Sequence, residues 1–166
     1  MDEIEVRVRA AVDALQAGGV EDVQIVDCDP QLADTAAFCE AYGFAPEDSA
    51  NAIVVAGKAD PPMYAVCLVL STTRLDVNRT VRRRLGARKA SFASAETTME
   101  LTGMTPGGVT PLALPDGIPV WVDAAVMDRP RIVIGGGSRS CKVVGPPSML
   151  AALDGVEVVD GLANPA

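Results

Sequence analysis

Apolar residues near the start of the chain recur every three or four positions, at Ile4, Val8, Ala11, Val12 and Leu15, which is the spacing of one helical face. The pattern predicts a helix over 3–17 that Gly18 and Gly19 stop. The period then shortens. Val23 to Val26 reads as a short strand, and 32–42 as a second helix ended by Gly43. Two β-branched, apolar runs follow, 51–56 and 64–71, parted by a loop with two prolines, and they predict neighbouring strands. Asp76 is placed to cap a helix ending at Leu85 before Gly86, and Ser94 to cap another ending at Leu101 before Gly103. Three more strands are predicted at 119–122, 131–134 and 141–144. Pro146 and Pro147 then open a last helix to Leu153, since proline is tolerated in a first turn.

Alternating helices and strands make this a mixed α/β chain. The strands outnumber what a simple doubly wound sheet of this length needs, and none is followed by a G-x-G-x-x-G or Walker loop. At 166 residues, with 49% hydrophobic and 22% charged side chains, the chain has the size and balance of one globular domain over 1–166. It shows no internal repeat, low-complexity segment or linker. No stretch has the uninterrupted apolar length of a bilayer span, and the start, Met1 to Glu5, is acidic where a secretory leader is basic. A cytoplasmic protein with no membrane partner is the expectation.

Candidate chemistry is narrowed most by a missing residue type. The chain has no histidine, which removes the commonest general base and every Ser/His or Cys/His nucleophilic system. Cys28, Cys39, Cys67 and Cys141 are scattered, without a C-x-x-C pair. They read as buried free thiols, and no metal and no cofactor is expected.

What remains is a loop. Thr102 to Pro111 holds three glycines and two prolines in ten residues, so some backbone angles are fixed and others freed, and bare N–H and C=O groups can be pointed into a pocket. Taken alone, such a run is also the composition of an ordinary turn. Its setting is more specific. Leu85 Gly86 Ala87 Arg88 Lys89 precedes Ala93 Ser94 Ala95 Glu96, then the loop, then Ile118 Pro119 Val120 Trp121 Val122 Asp123, then Ile132 Val133 Ile134 Gly135 Gly136 Gly137.

This succession resembles the YbaK/EbsC/ProX family of aminoacyl-tRNA deacylases, which share their fold with the editing domain inserted in bacterial prolyl-tRNA synthetases. Gly107 to Pro111 match the family's G-x-x-x-P motif, and the resemblance spans about residues 8 to 163, most strongly 85 to 137. It implies a mixed, largely closed, barrel-like β-sheet with helices packed outside and a pocket at one side. It also implies a trans-editing hydrolase of mischarged aminoacyl-tRNA, a proofreading activity of translation. The G-x-x-x-P loop would supply backbone contacts at Gly107 and Gly108, and the free ribose hydroxyl of the substrate would help to activate water.

By the same resemblance Val109, Thr110, Pro111, Gly135 and Gly136 bind substrate. Asp123 matches an aspartate common in the family; it either borders the pocket and orients the substrate amino group or caps a helix that begins at Ala124. Where the family carries a lysine, at the start of the strand Ala50 to Val55, this chain has Asn51, which can hydrogen-bond a hydroxyl or phosphate but brings no charge. A serine usual before the late glycine pair is replaced by Gly135. Trp121 reads as core, and Tyr42 and Phe44 carry no assignment.

Charge is unevenly distributed. The chain is net −8, which by itself argues against a nucleic-acid partner, and no DNA partner is expected. Residues 74–89 nevertheless hold seven basic side chains against Asp76 alone, a local +6 that leaves −14 for the remainder. Such a patch captures phosphate or pairs with the acidic body of its own protein. With the family resemblance, Arg79, Arg82 and Arg83 become candidate contacts to a tRNA acceptor end, read by shape and by its exposed 3′ terminus. Association with an aminoacyl-tRNA synthetase or elongation factor is a further partner that the resemblance admits.

Two other readings stay open: a catalytically weak relative that binds aminoacyl-tRNA or a small ligand, supported by Asn51, and a plain ester or thioester hydrolase that has lost the tRNA. The amino acid, the tRNA and the oligomeric state are left open.

Overall fold

The computed structural model describes residues 2–166, so the first residue of the acidic start, and of the expected domain 1–166, lies outside it. Helix α1 (Glu3–Ala17) begins where the Asp2 carboxylate accepts the Glu5 N–H at 3.0 Å, and it buries Val8, Val12 and Leu15. Strand β1 (Gln24–Asp27) and a single 3-10 turn at 30–32 lead into α2 (Thr35–Tyr42), which starts three residues later than its apolar pattern predicts. Gly43 closes it in the left-handed region at φ 79°, where glycine carries no Cβ penalty.

Strands β2 (Ala50–Gly57) and β3 (Met63–Leu70) form the expected antiparallel pair, with Asn51 opposite Val69. Next come β4 (Thr73–Leu75) and a π-helical turn over 77–81 that continues into the single turn α3 (Arg82–Leu85). This differs from the continuous capped helix predicted over 76–85. The Asp76 carboxylate accepts the Thr80 hydroxyl at 2.9 Å instead of a backbone N–H, and the first turn widens.

After β5 (Ala90–Phe92), α4 (Ala95–Thr102) is capped by Ser94, whose hydroxyl accepts the Thr97 N–H at 3.0 Å. The remaining elements are β6 (Val120–Asp123), α5 (Ala124–Met127), β7 (Ile132–Gly135), β8 (Cys141–Gly145), α6 (Ser148–Ala151), β9 (Val156–Val159) and β10 (Ala163–Pro165).

The strands form a mixed five-stranded sheet in the order β5-β2-β3-β6-β9, a three-stranded sheet β1-β8-β7, and the pair β10-β4. Among the described strand pairs, β3-β6 and β6-β9 alone run parallel. Among the described residues no closed barrel forms: the two larger sheets meet at one bridge, Ser49 to Val133. Both faces of the central sheet are buried, as alternation along its strands requires. Val54, Val66, Leu68, Val120 and Val122 face the main core with α1 and the small sheet. Val55, Ala65, Cys67, Val69 and Trp121 face a second core closed by Val81, Leu85 and Leu162. The mixed α/β class and the helices outside the sheet are as expected; the strands part where closure was expected.

Candidate functional site

The site is built where β2 and β7 separate. The two strands touch at the Ser49–Val133 bridge, and β2 regains a partner on that edge only at Val55, opposite Phe92 of β5. Between those points the edge of β2 is unpaired by strand, and the glycine loop comes in against it. The result is a cleft of about 190 Å³ lined by residues 49–53, by Gly107 and Val109, by 133–135 of β7, and by Lys142 of β8. A second hollow of about 220 Å³ shares Ala52, Ile53, Gly107 and Val109 with it and extends past Phe92, Ala95 and Thr98. The two form one trough over the loop.

The loop is held from behind by backbone contacts. Gly108 donates its N–H to Thr105 at 2.9 Å and accepts the Gly137 N–H at 2.7 Å. A Cβ on Gly108 would lie 2.8 Å from the Ser138 carbonyl oxygen, and one on Gly135 would strike the Val109 carbonyl. These glycines let loop and hairpin touch backbone to backbone, a role only glycine fills. Gly107 is different: it sits at φ +86°, lines the cleft, and its nearest would-be Cβ neighbour is a side-chain atom, the Arg139 guanidinium, at 3.2 Å. The N–H groups of Gly107 and Val109 have no acceptor among the described residues.

Of the residues expected from sequence, Gly107, Val109, Asn51 and Gly135 therefore converge on the cleft. The others lie elsewhere. Gly108 is behind the loop with both its polar groups engaged, so it offers no N–H to a substrate. Thr110 is fully buried, and its hydroxyl accepts the Leu112 N–H. Pro111 lines a separate groove with Asp116 and Leu153. A Cβ on Gly136 would meet the Cys141 backbone.

Asp123 is 4% exposed and accepts the Leu162 N–H at 3.2 Å, which anchors the chain entering β10. Burial pushes its carboxyl up, against the pull of the backbone N–H groups of Ala163, Leu162 and Ala124. It precedes α5, as the capping alternative expected, but no side-chain bond makes the cap.

Asn51 accepts the Thr35 hydroxyl at 3.3 Å through Oδ1, which leaves its amide N–H groups for a ligand. The larger surprise is Lys142. It is 8% exposed, forms no ion pair among the described residues, and reaches the cleft from β8 with its Nζ 5.6 Å from the centre of the Phe38 ring. Desolvation by burial lowers its affinity for a proton; Arg139 pulls the same way, and Cys28 and Asp34 oppose it. Asp34 is itself held by Arg139 at 3.1 Å. Phe38 stacks on Tyr42 and Phe44 with centroids 4.8 and 5.4 Å away, so the two unassigned aromatics support the ring beneath the lysine. A lone charge inside the strand pattern Cys141 to Val144 was the signal for it.

Phe92, 61% exposed at the mouth of the second hollow, is the other residue that sequence reasoning passed over. The basic segment leads directly into its strand. There Arg84 pairs with Glu157 and lies 4.8 Å over the buried Trp121 ring, and Arg82 Nε donates to the Asn78 carbonyl. Arg79, Arg83, Arg88 and Lys89 are exposed without an ion pair among the described residues. The four thiols are buried and all shifted upward by burial, Cys67 to about 12, which leaves them protonated and unreactive at neutral pH. No described group of His, Cys, Asp and Glu is placed to hold a metal ion, and no described helix is long and apolar enough to cross a membrane.

A family profile described as the aminoacyl-tRNA editing domain matches residues 29–153, a span that holds the loop and every residue of the cleft. The chain belongs to this family. Solved structures agree in fold. The editing domain superposes with a TM-score of 0.80 on a protein with a proposed role as a trans-editing enzyme for prolyl tRNA synthetase, at 23% identity, covering 100% of this chain and 99% of that one. It matches the hypothetical protein APE2540 with a TM-score of 0.79 at 20% identity, covering 93% and 99%. A scaffold protein used for computational grafting of linear epitopes gives 0.81 at 20% identity, covering all of both chains. At these identities the likeness establishes the architecture.

Proposed function

We propose that this editing domain hydrolyses the ester of a mischarged aminoacyl-tRNA in trans. The observation that carries this reading is the pair of uncommitted N–H groups, on Gly107 and Val109, in the wall of a small cleft that also holds Asn51. An aminoacyl ester is already activated, so catalysis requires mainly donors for the carbonyl oxygen, a placed water and exclusion of the wrong side chain. Water adds to the carbonyl carbon, and the negative oxygen so formed is met by the backbone donors. Collapse breaks the bond to the ribose oxygen, which leaves with the proton that the water has lost. The vicinal ribose hydroxyl is suited to relay that proton, and a chain without histidine needs no base of its own.

The trough also suits the rest of the substrate. The ester occupies the cleft beside Gly107, where about 190 Å³ admits a small aminoacyl group, and one methylene too many costs roughly 1 to 3 kcal/mol. The unpaired terminal base stacks on Phe92 in the second hollow, and the exposed arginines beyond β5 meet the acceptor-stem phosphates. The same reading takes the protein as cytoplasmic.

The test is turnover and filter binding of tRNAs charged with glycine, alanine, serine, cysteine and proline. Release of one amino acid well above the spontaneous rate supports editing. Binding without turnover assigns the chain as a binding relative, the reading that Asn51 favours. Cleavage of simple esters with neither tRNA binding nor tRNA turnover makes it a small-molecule hydrolase.

A further inference from the structure

The side chain that most needs a partner is Lys142. A cation taken out of water is expensive unless a counter-charge or several hydrogen bonds replace its hydration. Lys142 has 8% of its surface exposed and neither an ion pair nor a side-chain hydrogen bond among the described residues. Asp34, the carboxylate whose charge acts on it, is taken by Arg139. What Lys142 does have is the face of Phe38, which holds an ammonium weakly, and an opening into the cleft. A lysine kept in this state costs the fold stability, and it lines the cleft with its three donors unpaired.

We propose that Lys142 is a substrate-binding residue that donates to an anionic oxygen of the esterified tRNA end. This rests on the editing reading above for the identity of the ligand. Two oxygens have the required charge: that of the terminal phosphodiester, present in the ground state, and the carbonyl oxygen once water has added to it. Both lie within one nucleotide of the ester held at Gly107. The α-ammonium of the aminoacyl group carries the same sign as Lys142, so it is oriented away, toward the edge of β2 that no strand pairs. Lys142 thereby fixes which way round the ester lies.

The experiment compares wild type with Lys142→Met and Lys142→Gln in three measurements. These are kcat and KM on the five charged tRNAs, Kd and its salt dependence for an amide-linked, non-hydrolysable aminoacyl-tRNA, and the lysine Nζ NMR signals during titration with a CCA trinucleotide and with its ester-position phosphonate. A loss of roughly 100- to 1000-fold in kcat with Kd unchanged assigns Lys142 to the developing oxyanion. A weaker Kd, with the slope of log affinity against log salt reduced by about 0.7, assigns it to the terminal phosphate. Either supports the proposal.

Unchanged kcat, KM and Kd in both variants overturn it. So does a Lys142 signal in wild type that moves neither with CCA, which carries the phosphates, nor with CCA bearing a phosphonate at the ester position, which carries an anionic oxygen where the oxyanion forms; these titrations stand even if neither variant folds. If wild type turns over none of the charged tRNAs while CCA shifts the Lys142 signal, the editing reading fails and the anion site remains.

Discussion

Lys142 Nζ stands 5.6 Å from the centre of the Phe38 ring, and this is the one cation–aromatic contact beside the cleft among the described residues. The charged and titratable groups around the ammonium are Arg139, Asp34, Cys28 and Cys141; burial, aided by Arg139, outweighs the other three and lowers its proton affinity below the ordinary lysine value. The sign of the linkage follows. Between the lowered folded value and the ordinary unfolded one near 10.5, the unfolded chain binds more protons, so stability rises with pH across that window. Below it the cost of the buried charge is fully present. Lys142→Met should therefore stabilise the fold at pH 7, by on the order of 1 kcal/mol, and the gain should shrink toward pH 10. Urea denaturation at both pH values checks this; a gain that grows with pH would contradict it.

Neighbouring glycines of the loop should respond differently. Gly108→Ala puts a Cβ 2.8 Å from the Ser138 carbonyl, a backbone clash of a kind that costs about 1 to 3 kcal/mol. Gly107→Ala instead strains a residue at φ +86°, at about 1 kcal/mol, and narrows the cleft. The expected result is a lower Tm with normal single-turnover activity of the folded fraction for Gly108→Ala, and the larger loss of activity for Gly107→Ala. Equal melting of wild type and Gly108→Ala would show that the loop does not pack on the hairpin.

Along the proposed RNA path, Phe92→Ala should weaken binding of the amide-linked aminoacyl-tRNA by about 1 to 3 kcal/mol, the worth of one stacked base. Arg82→Ala with Arg83→Ala should lower the salt slope by about 0.7 to 0.9 for each phosphate that is no longer neutralised. Electrophoretic mobility shifts across a salt series measure both. A slope that does not move would place these arginines on a face that only solvent sees.

Asp123 should matter for stability alone. Its carboxylate takes the Leu162 N–H in a buried setting, and removing it leaves that donor unpaired, at about 1 to 3 kcal/mol. Asp123→Ala should lower the urea midpoint while kcat on charged tRNA stays within about twofold. A large drop in kcat of folded protein would return Asp123 to the site.

Much of the framework was legible because local signals agreed. The apolar period over 3–17 and the glycine pair after it mark α1 without help from the rest of the chain. The β-branched runs of β2 and β3 and the apolar runs of β6 to β8 do the same. Strands β4, β5, β9 and β10 went unread. Each is three or four residues long, with exposed or polar positions, and is extended because a partner strand holds it.

Within the G-x-x-x-P segment the motif specified that backbone approaches closely, but not which backbone. That depends on whether the nearest neighbour is a side-chain tip, the Arg139 guanidinium for Gly107, or backbone, the Ser138 carbonyl for Gly108.

Sequence alone determined the mixed α/β class, the exclusion of histidine from any chemistry of this chain, and a glycine-rich loop able to present bare backbone groups, because composition and near-neighbour spacing carry those properties. Tertiary structure decided where the cleft opens and what lines it. The divergence of β2 from β7 after the Ser49–Val133 bridge brings Asn51, Gly107 and Lys142 together from segments far apart in the chain. It sends Pro111 to another groove and Asp123 to the anchor of β10. Whether a buried lysine is paired or waiting for an anion is a matter of what packs around it, and no local pattern encodes that.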